Sequence, residues 1–153
     1  MISKDIFNKK SICIDKDLNS KNDVLKYLAD WFSKNNYGND VTKIYQGFIE
    51  REKEGSTALT DGIGIPHSKT SAISRPGIFV LRNKVALEWD SLDDKPTYFF
   101  IALAIPNNNS NVSHLKMLSS IARKFIDDNF KQNILAARSV DELYDLLLEV
   151  EII

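Results

Sequence analysis

A chain of 153 residues, 43% hydrophobic and 27% charged, with four prolines and six glycines, has the size and mix of a single globular domain with one core. Twenty Lys and Arg against 21 Asp and Glu leave a net charge of -1, which excludes a global field that would draw the chain to nucleic acid or to an anionic membrane. The longest uncharged apolar run, TYFFIALAIP at 97–106, is too short to span a bilayer, and the N-terminal MISKDIFNKKS lacks the apolar stretch and cleavage site of a signal peptide, so a cytoplasmic location is expected.

The apolar alternation SICID marks the lone Cys13 as a packed small hydrophobe, and a single cysteine allows no intrachain disulfide. Ser20, with Asp23 three residues on, starts a first helix whose apolar face is Val24, Leu25, Leu28, Ala29 and Phe32; Gly38 is expected to end it. A second helix opens at Asp40, carries Val41, Ile44, Tyr45, Phe48 and Ile49 at helical spacing, and runs through Glu50, Arg51 and Glu52 toward Gly55. Arg51 therefore falls in its last turns. After His67 the period changes, and GIFVLRN at 77–83, VALEW at 85–89 and the run at 97–106 read as strands, the last apolar on both faces and so placed in mid-sheet. A loop at 106–113 leads into a helix with His114 in its first turn, capped by Ser113 or Asn111, with Leu115, Leu118, Ile121, Ala122 and Phe125 as its buried stripe. Shorter helices at about 130–138 and 140–150, the second capped by Ser139, close the chain. No repeat or linker divides it, so residues 1–153 are expected to form one unit, an α/β sandwich rather than a barrel.

The stretch GSTALTDGIGIPH at 55–67 sets one of only two histidines behind a proline. Pro66 fixes its own φ and pushes Ile65 into an extended conformation, which presents the imidazole from a constrained backbone. Gly55, Gly62 and Gly64 allow close backbone approach, while Ser56, Thr57, Thr60 and Ser68 supply hydroxyls that suit anionic oxygens. His114 at a helix N-terminus would sit where backbone N–H groups favour an anion, and Arg51 offers a permanent charge with a planar fork matched to phosphate. If the three converge, they suit a transferring phosphoryl group, which needs positioning and charge stabilisation. Read singly, each has a plain structural role: His67 as a surface or core residue, His114 as a solvated or capping side chain, and Arg51 as part of a solvated EREKE face. Two histidines without HxxxH or HxH spacing make a poor metal site, although Asp61 or Asp90 could complete one, and there is neither a G-x-S-x-G elbow nor a G-x-x-x-x-G-K-[ST] loop, so phosphate would come from a phosphorylated protein or small molecule and not from ATP.

The run REKEGSTALTDGIGIPH at 51–67, followed by ALEWDSLDDKP at 86–96, IALAIP at 101–106 and HLKMLSSIARKF at 114–125, resembles the enzyme IIA component of the sugar phosphotransferase system, fructose and mannitol type. The likeness extends from about residue 2 to residue 150 with all landmarks in order. It implies a mixed β-sheet flanked by helices on both faces, a phosphoryl carrier that accepts from the phosphocarrier HPr and donates to a IIB component, an indirect link to a membrane IIC permease, and no cofactor or metal. It also implies that His67 is the phosphorylated residue through Nε2, with His114 as the second histidine, Arg51 as the active-site arginine and Thr57 as the family's threonine; Thr57 and, from its residue type alone, Ser68 are expected at the phosphate. A regulatory IIA module of the nitrogen-related type, whose phosphorylation state controls protein partners, is the alternative. The chain departs from the family pattern at Ala58 and Thr60, where glycine is common, at Gly64, where alanine is, and at Ser68, where a very small residue is. It is expected to be a freestanding component.

Overall fold

The structure, a computed structural model, describes residues 6–107 and 112–150, the side chains of residues 112–115 excepted. Its elements are β1 (Ile12–Lys16), α1 (Lys21–Lys34), α2 (Val41–Glu54), β2 (Ile63–Gly64), β3 (His67–Thr70), β4 (Gly77–Leu87), β5 (Thr97–Pro106), α3 (Val112–Lys124), α4 (Asp128–Ala136) and α5 (Val140–Leu147). The strands form one mixed sheet in the order β1-β4-β5-β2, with β3 also on β5. The β4–β5 pair is antiparallel; β1 on β4, and β2 and β3 on β5, are parallel. Because β4 covers one edge of β5 as far as Ala104, β2 and β3 share the other edge in succession, opposite Phe99–Phe100 and Leu103–Pro106. They are separated by Ile65 and Pro66, and Pro66 has no N–H to give to a ladder.

Strand β5 divides the core between its faces, as a centrally placed strand must. Phe99, Ile101, Leu103 and Ile105 join the cluster built with α3, α4 and α5, whereas Phe100, Ala102 and Ala104 join the one built with α1 and α2. The caps follow local chemistry: Ser20, Asp40 and Ser139 each accept, at 3.1–3.2 Å, the N–H three residues ahead. The expected sheet with helices on both faces is therefore what the chain forms.

Several boundaries differ from the sequence reading. Helix α1 stops at Lys34, not Gly38, because Asn36 adopts the left-handed conformation (φ 67°) and Tyr37 N–H turns back to Phe32 O at 3.0 Å. The two strands expected at 77–83 and 85–89 are one, β4, whose register shifts between Arg82 and Leu87. The Asn83 side chain supports that irregular stretch, accepting from Leu18 N–H and donating to Leu18 O and Val85 O. Of the expected α3 stripe, Ile121 and, just past the helix end, Phe125 are buried and Leu118 packs against the same cluster; Met117 joins them, while Ala122 is exposed. The proposed caps Asn111 and Ser113 lie outside the described groups.

Thr97 at the start of β5 is fully buried, and its hydroxyl finds no hydrogen-bond partner among the described residues. Thr97→Val keeps the shape and deletes the unsatisfied hydroxyl. It is expected to raise stability by about 1 kcal/mol, read as a higher urea midpoint at unchanged slope; a lower midpoint would contradict it.

Candidate active site

His67 opens β3 opposite Leu103 and is half-buried. Its Nδ1 lies 2.9 Å from Ile65 O, and a carbonyl can only accept, so Nδ1 carries the proton. On the other side, Arg51 Nε donates to His67 Nε2 at 2.9 Å, so Nε2 is the unprotonated nitrogen. Two contacts from different elements thus select one tautomer. Arg51 is itself held, because its Nη1 donates to Gly55 O at 2.7 Å, at the end of α2.

Burial pushes the His67 pKa below the ordinary value of 6.5; the Ile65 hydrogen bond opposes this, the Arg51 guanidinium reinforces it, and the Glu52 and Glu54 charges oppose it. At neutral pH the ring is therefore uncharged, with a lone pair at Nε2. A lowered pKa in a base means that the unfolded chain binds the proton first as pH falls. Stability from this site is thus complete above 6.5 and is lost as pH drops through the lowered value. Titration of the His67 ring by NMR is expected to show its midpoint below 6.5; a midpoint above it would contradict the burial argument.

The sequence reading missed Glu52. Its side chain is only 5% exposed, and its carboxylate accepts from Trp89 Nε1 at 2.9 Å, from Thr57 N–H at 3.3 Å and from the Thr57 hydroxyl. Lys21 Nζ lies 3.6 Å from Oε1 and 5.1 Å from the centre of the Trp89 ring. In sequence Glu52 looks like one more charge in EREKE, and only the fold brings Trp89 to it.

Thr57 and Ser68 were expected to offer hydroxyls to a phosphate. Both are buried, and each hydroxyl proton is committed to an internal acceptor: Thr57 to Glu52, and Ser68 to Ile44 O in α2 at 2.8 Å. Their place in this structure is in shaping the loop and the β3–α2 contact. His114 stands in the first turn of α3 as read from sequence, but its side chain is outside the described groups.

The departures at 58 and 64 face each other. Ala58 and Gly64 form an isolated bridge, and a methyl added at Gly64 would stand 3.6 Å from Ala58 Cα and 3.3 Å from Thr97 Cγ2. A side chain at 64 would therefore press on Thr97 across from Ala58. Ser68 is matched by Gly47 in the same way: a Cβ there would fall 2.1 Å from Ser68 Oγ. Gly47→Ala is expected to destabilise the protein by about 1–3 kcal/mol despite the better helix propensity of alanine. Adding Ser68→Ala, which deletes that oxygen, should restore part of the loss in the same denaturation experiment; an undiminished loss would contradict the contact.

The open mixed sheet between two helical layers is a fold shared with solved enzyme IIA structures of the mannitol type. A solved complex of enzyme IIA mannitol and phosphorylated enzyme IIB mannitol from Escherichia coli shares the fold, with TM-score 0.78, 19% identity, and coverage of 93% of this chain and 96% of that one. The family profile described as phosphoenolpyruvate-dependent sugar phosphotransferase system, EIIA 2, matches residues 5–150, and the chain belongs to that family. The PTS system fructose-specific EIIA component of Haloferax volcanii is 29% identical over 139 residues, covering 91% of this chain and 90% of that protein. A nitrogen regulatory protein of Klebsiella oxytoca is 30% identical over 132 residues, covering 85% and 80%.

Proposed function

We propose that the protein is a cytoplasmic phosphoryl carrier that takes phosphate from phospho-HPr on His67 and passes it to a IIB component for sugar uptake through a membrane IIC permease. One observation carries the reading: a neutral imidazole whose Nδ1–H is held by Ile65 O while its Nε2 lone pair meets the Arg51 guanidinium. In the transfer, that lone pair attacks phosphorus, the donor's P–N bond breaks, and the electron pair of that bond stays on the donor ring, which leaves as neutral imidazole, taking a proton from solvent where its other nitrogen is not already protonated. Nδ1–H remains on Ile65 O and stabilises the charge that the ring gains. Arg51 leaves Nε2 and pairs with the phosphoryl oxygens, exchanging a neutral acceptor for an anionic one. His114, in the first turn of α3, is the second imidazole at the phosphoryl group.

Incubation with phosphoenolpyruvate, enzyme I and HPr is expected to add one acid-labile phosphate to the intact mass. No increment, in a mixture that labels another IIA, would contradict the carrier reading. The comparable identity to a nitrogen regulatory protein favours a second reading, in which the same phosphohistidine serves as a signal. Adding a fructose-type IIB protein separates the two: discharge of the label supports sugar transfer, and retention supports regulation.

A further inference from the structure

The hydrogen bonds of the loop between α2 and β3 form one path from a buried carboxylate to the imidazole. Trp89 Nε1–H and both donors of Thr57 converge on Glu52, which reaches them from the last turns of α2. Thr57 O accepts from Ile65 N–H at 3.0 Å, and Ile65 O accepts from His67 Nδ1–H at 2.9 Å. We propose that Glu52 is a positioning residue for phosphoryl transfer, holding the Ile65 carbonyl where it fixes the His67 tautomer that leaves Nε2 unprotonated. This rests on the carrier reading for its effect on rate, but not for its effect on the ring.

A carboxylate is costly to bury unless its oxygens are satisfied. Here both oxygens are used: Trp89 Nε1–H and Thr57 N–H donate to Oε1, the Thr57 hydroxyl donates to Oε2, and Lys21 from α1 supplies the opposite charge. The three elements that meet at Glu52 are α1, the loop at Thr57 and the segment after β4 at Trp89. A displacement of the loop would carry Thr57 O with it, then Ile65, then the acceptor for Nδ1–H. Neither Glu52 nor Trp89 need touch the phosphoryl group for this to matter, since misplacing a reacting atom by about 1 Å can cost 100-fold.

The test uses the full chain with Glu52→Ala and Glu52→Gln, read by ¹⁵N NMR of the His67 ring without phosphate and by the rate of phosphorylation from phospho-HPr. Wild type is expected to show one tautomer, with the proton on Nδ1. Glu52→Ala should show both tautomers in exchange and a rate lower by roughly 10- to 100-fold. Glu52→Gln, which keeps an acceptor for Trp89 but turns an amide N–H₂ toward Thr57, should fall between them. If Glu52→Ala does not fold, Thr57→Val and Trp89→Phe each remove one donor from the carboxylate, and Thr57→Val should cause the larger tautomer change. A folded Glu52→Ala protein with lowered melting temperature, an unchanged ring spectrum and a rate within about twofold of wild type would reduce Glu52 to a loop brace and overturn the proposal. A changed ring spectrum in a chain that HPr never phosphorylates would uphold the positioning role and defeat the carrier reading instead.

Discussion

His67→Ala is expected to abolish phosphoryl uptake from phospho-HPr while leaving the fold intact. Among the described residues the side chain makes two hydrogen bonds, one to Ile65 O and one from Arg51, and it is half-buried on β3, which pairs only with β5. Its removal therefore costs little packing, and circular dichroism should be unchanged. No other imidazole among the described side chains can take its place, and the nearby hydroxyls of Thr57 and Ser68 are committed internally. Residual stoichiometric labelling of the variant would move the phosphate to another residue and contradict the assignment.

Arg51→Ala should slow uptake by about 100- to 1,000-fold, the range seen when one donor to a developing oxyanion is removed. Two consequences of the same substitution run in opposite directions. Losing the guanidinium frees the Nε2 lone pair and raises the His67 pKa, since the nearby positive charge lowers it. If access to the lone pair governed the rate, the variant would be faster above its new pKa. If stabilisation of the phosphoryl oxygens governs it, the variant is slower at every pH. The geometry favours the second, because a planar fork that already bridges Gly55 O and Nε2 has only to rotate to meet two phosphoryl oxygens. Arg51→Lys should recover part of the loss, keeping the charge without the fork. A rate measured from pH 5.5 to 8 in single turnover distinguishes these outcomes, and an Arg51→Ala rate equal to wild type would remove Arg51 from the transfer step.

The parts of this fold that were legible in sequence are those written in local chemistry. Helices α1, α2 and α5 begin at Ser20, Asp40 and Ser139 because each side chain caps its own next turn, a signal contained within four residues. Strand β5 was legible because eight apolar residues in a row, Tyr98 to Ile105, have no other place in a sandwich. Strands β2 and β3 were not, since two- and four-residue segments are defined only by pairing with β5 some 36 residues away, as His67 with Leu103. The site divides the same way. Arg51 and His67 could be named from residue type and from the Ile-Pro-His setting, but their 2.9 Å contact depends on β3 lying close to α2, which Gly47 permits and no motif announces. Glu52 was hidden for the opposite reason. A charged residue in a charged run looks solvated until Trp89, 37 residues later, is brought over it.

The central claim is that His67 Nε2 is the phosphoryl acceptor, and the most direct test is ¹⁵N and ³¹P NMR of the phosphorylated, ¹⁵N-histidine-labelled protein. The account predicts phosphorus coupled to Nε2 of His67, with Nδ1 still protonated and its signal still marking the hydrogen bond to Ile65 O. Phosphorus coupled to Nδ1, or to any nitrogen of His114, would contradict it.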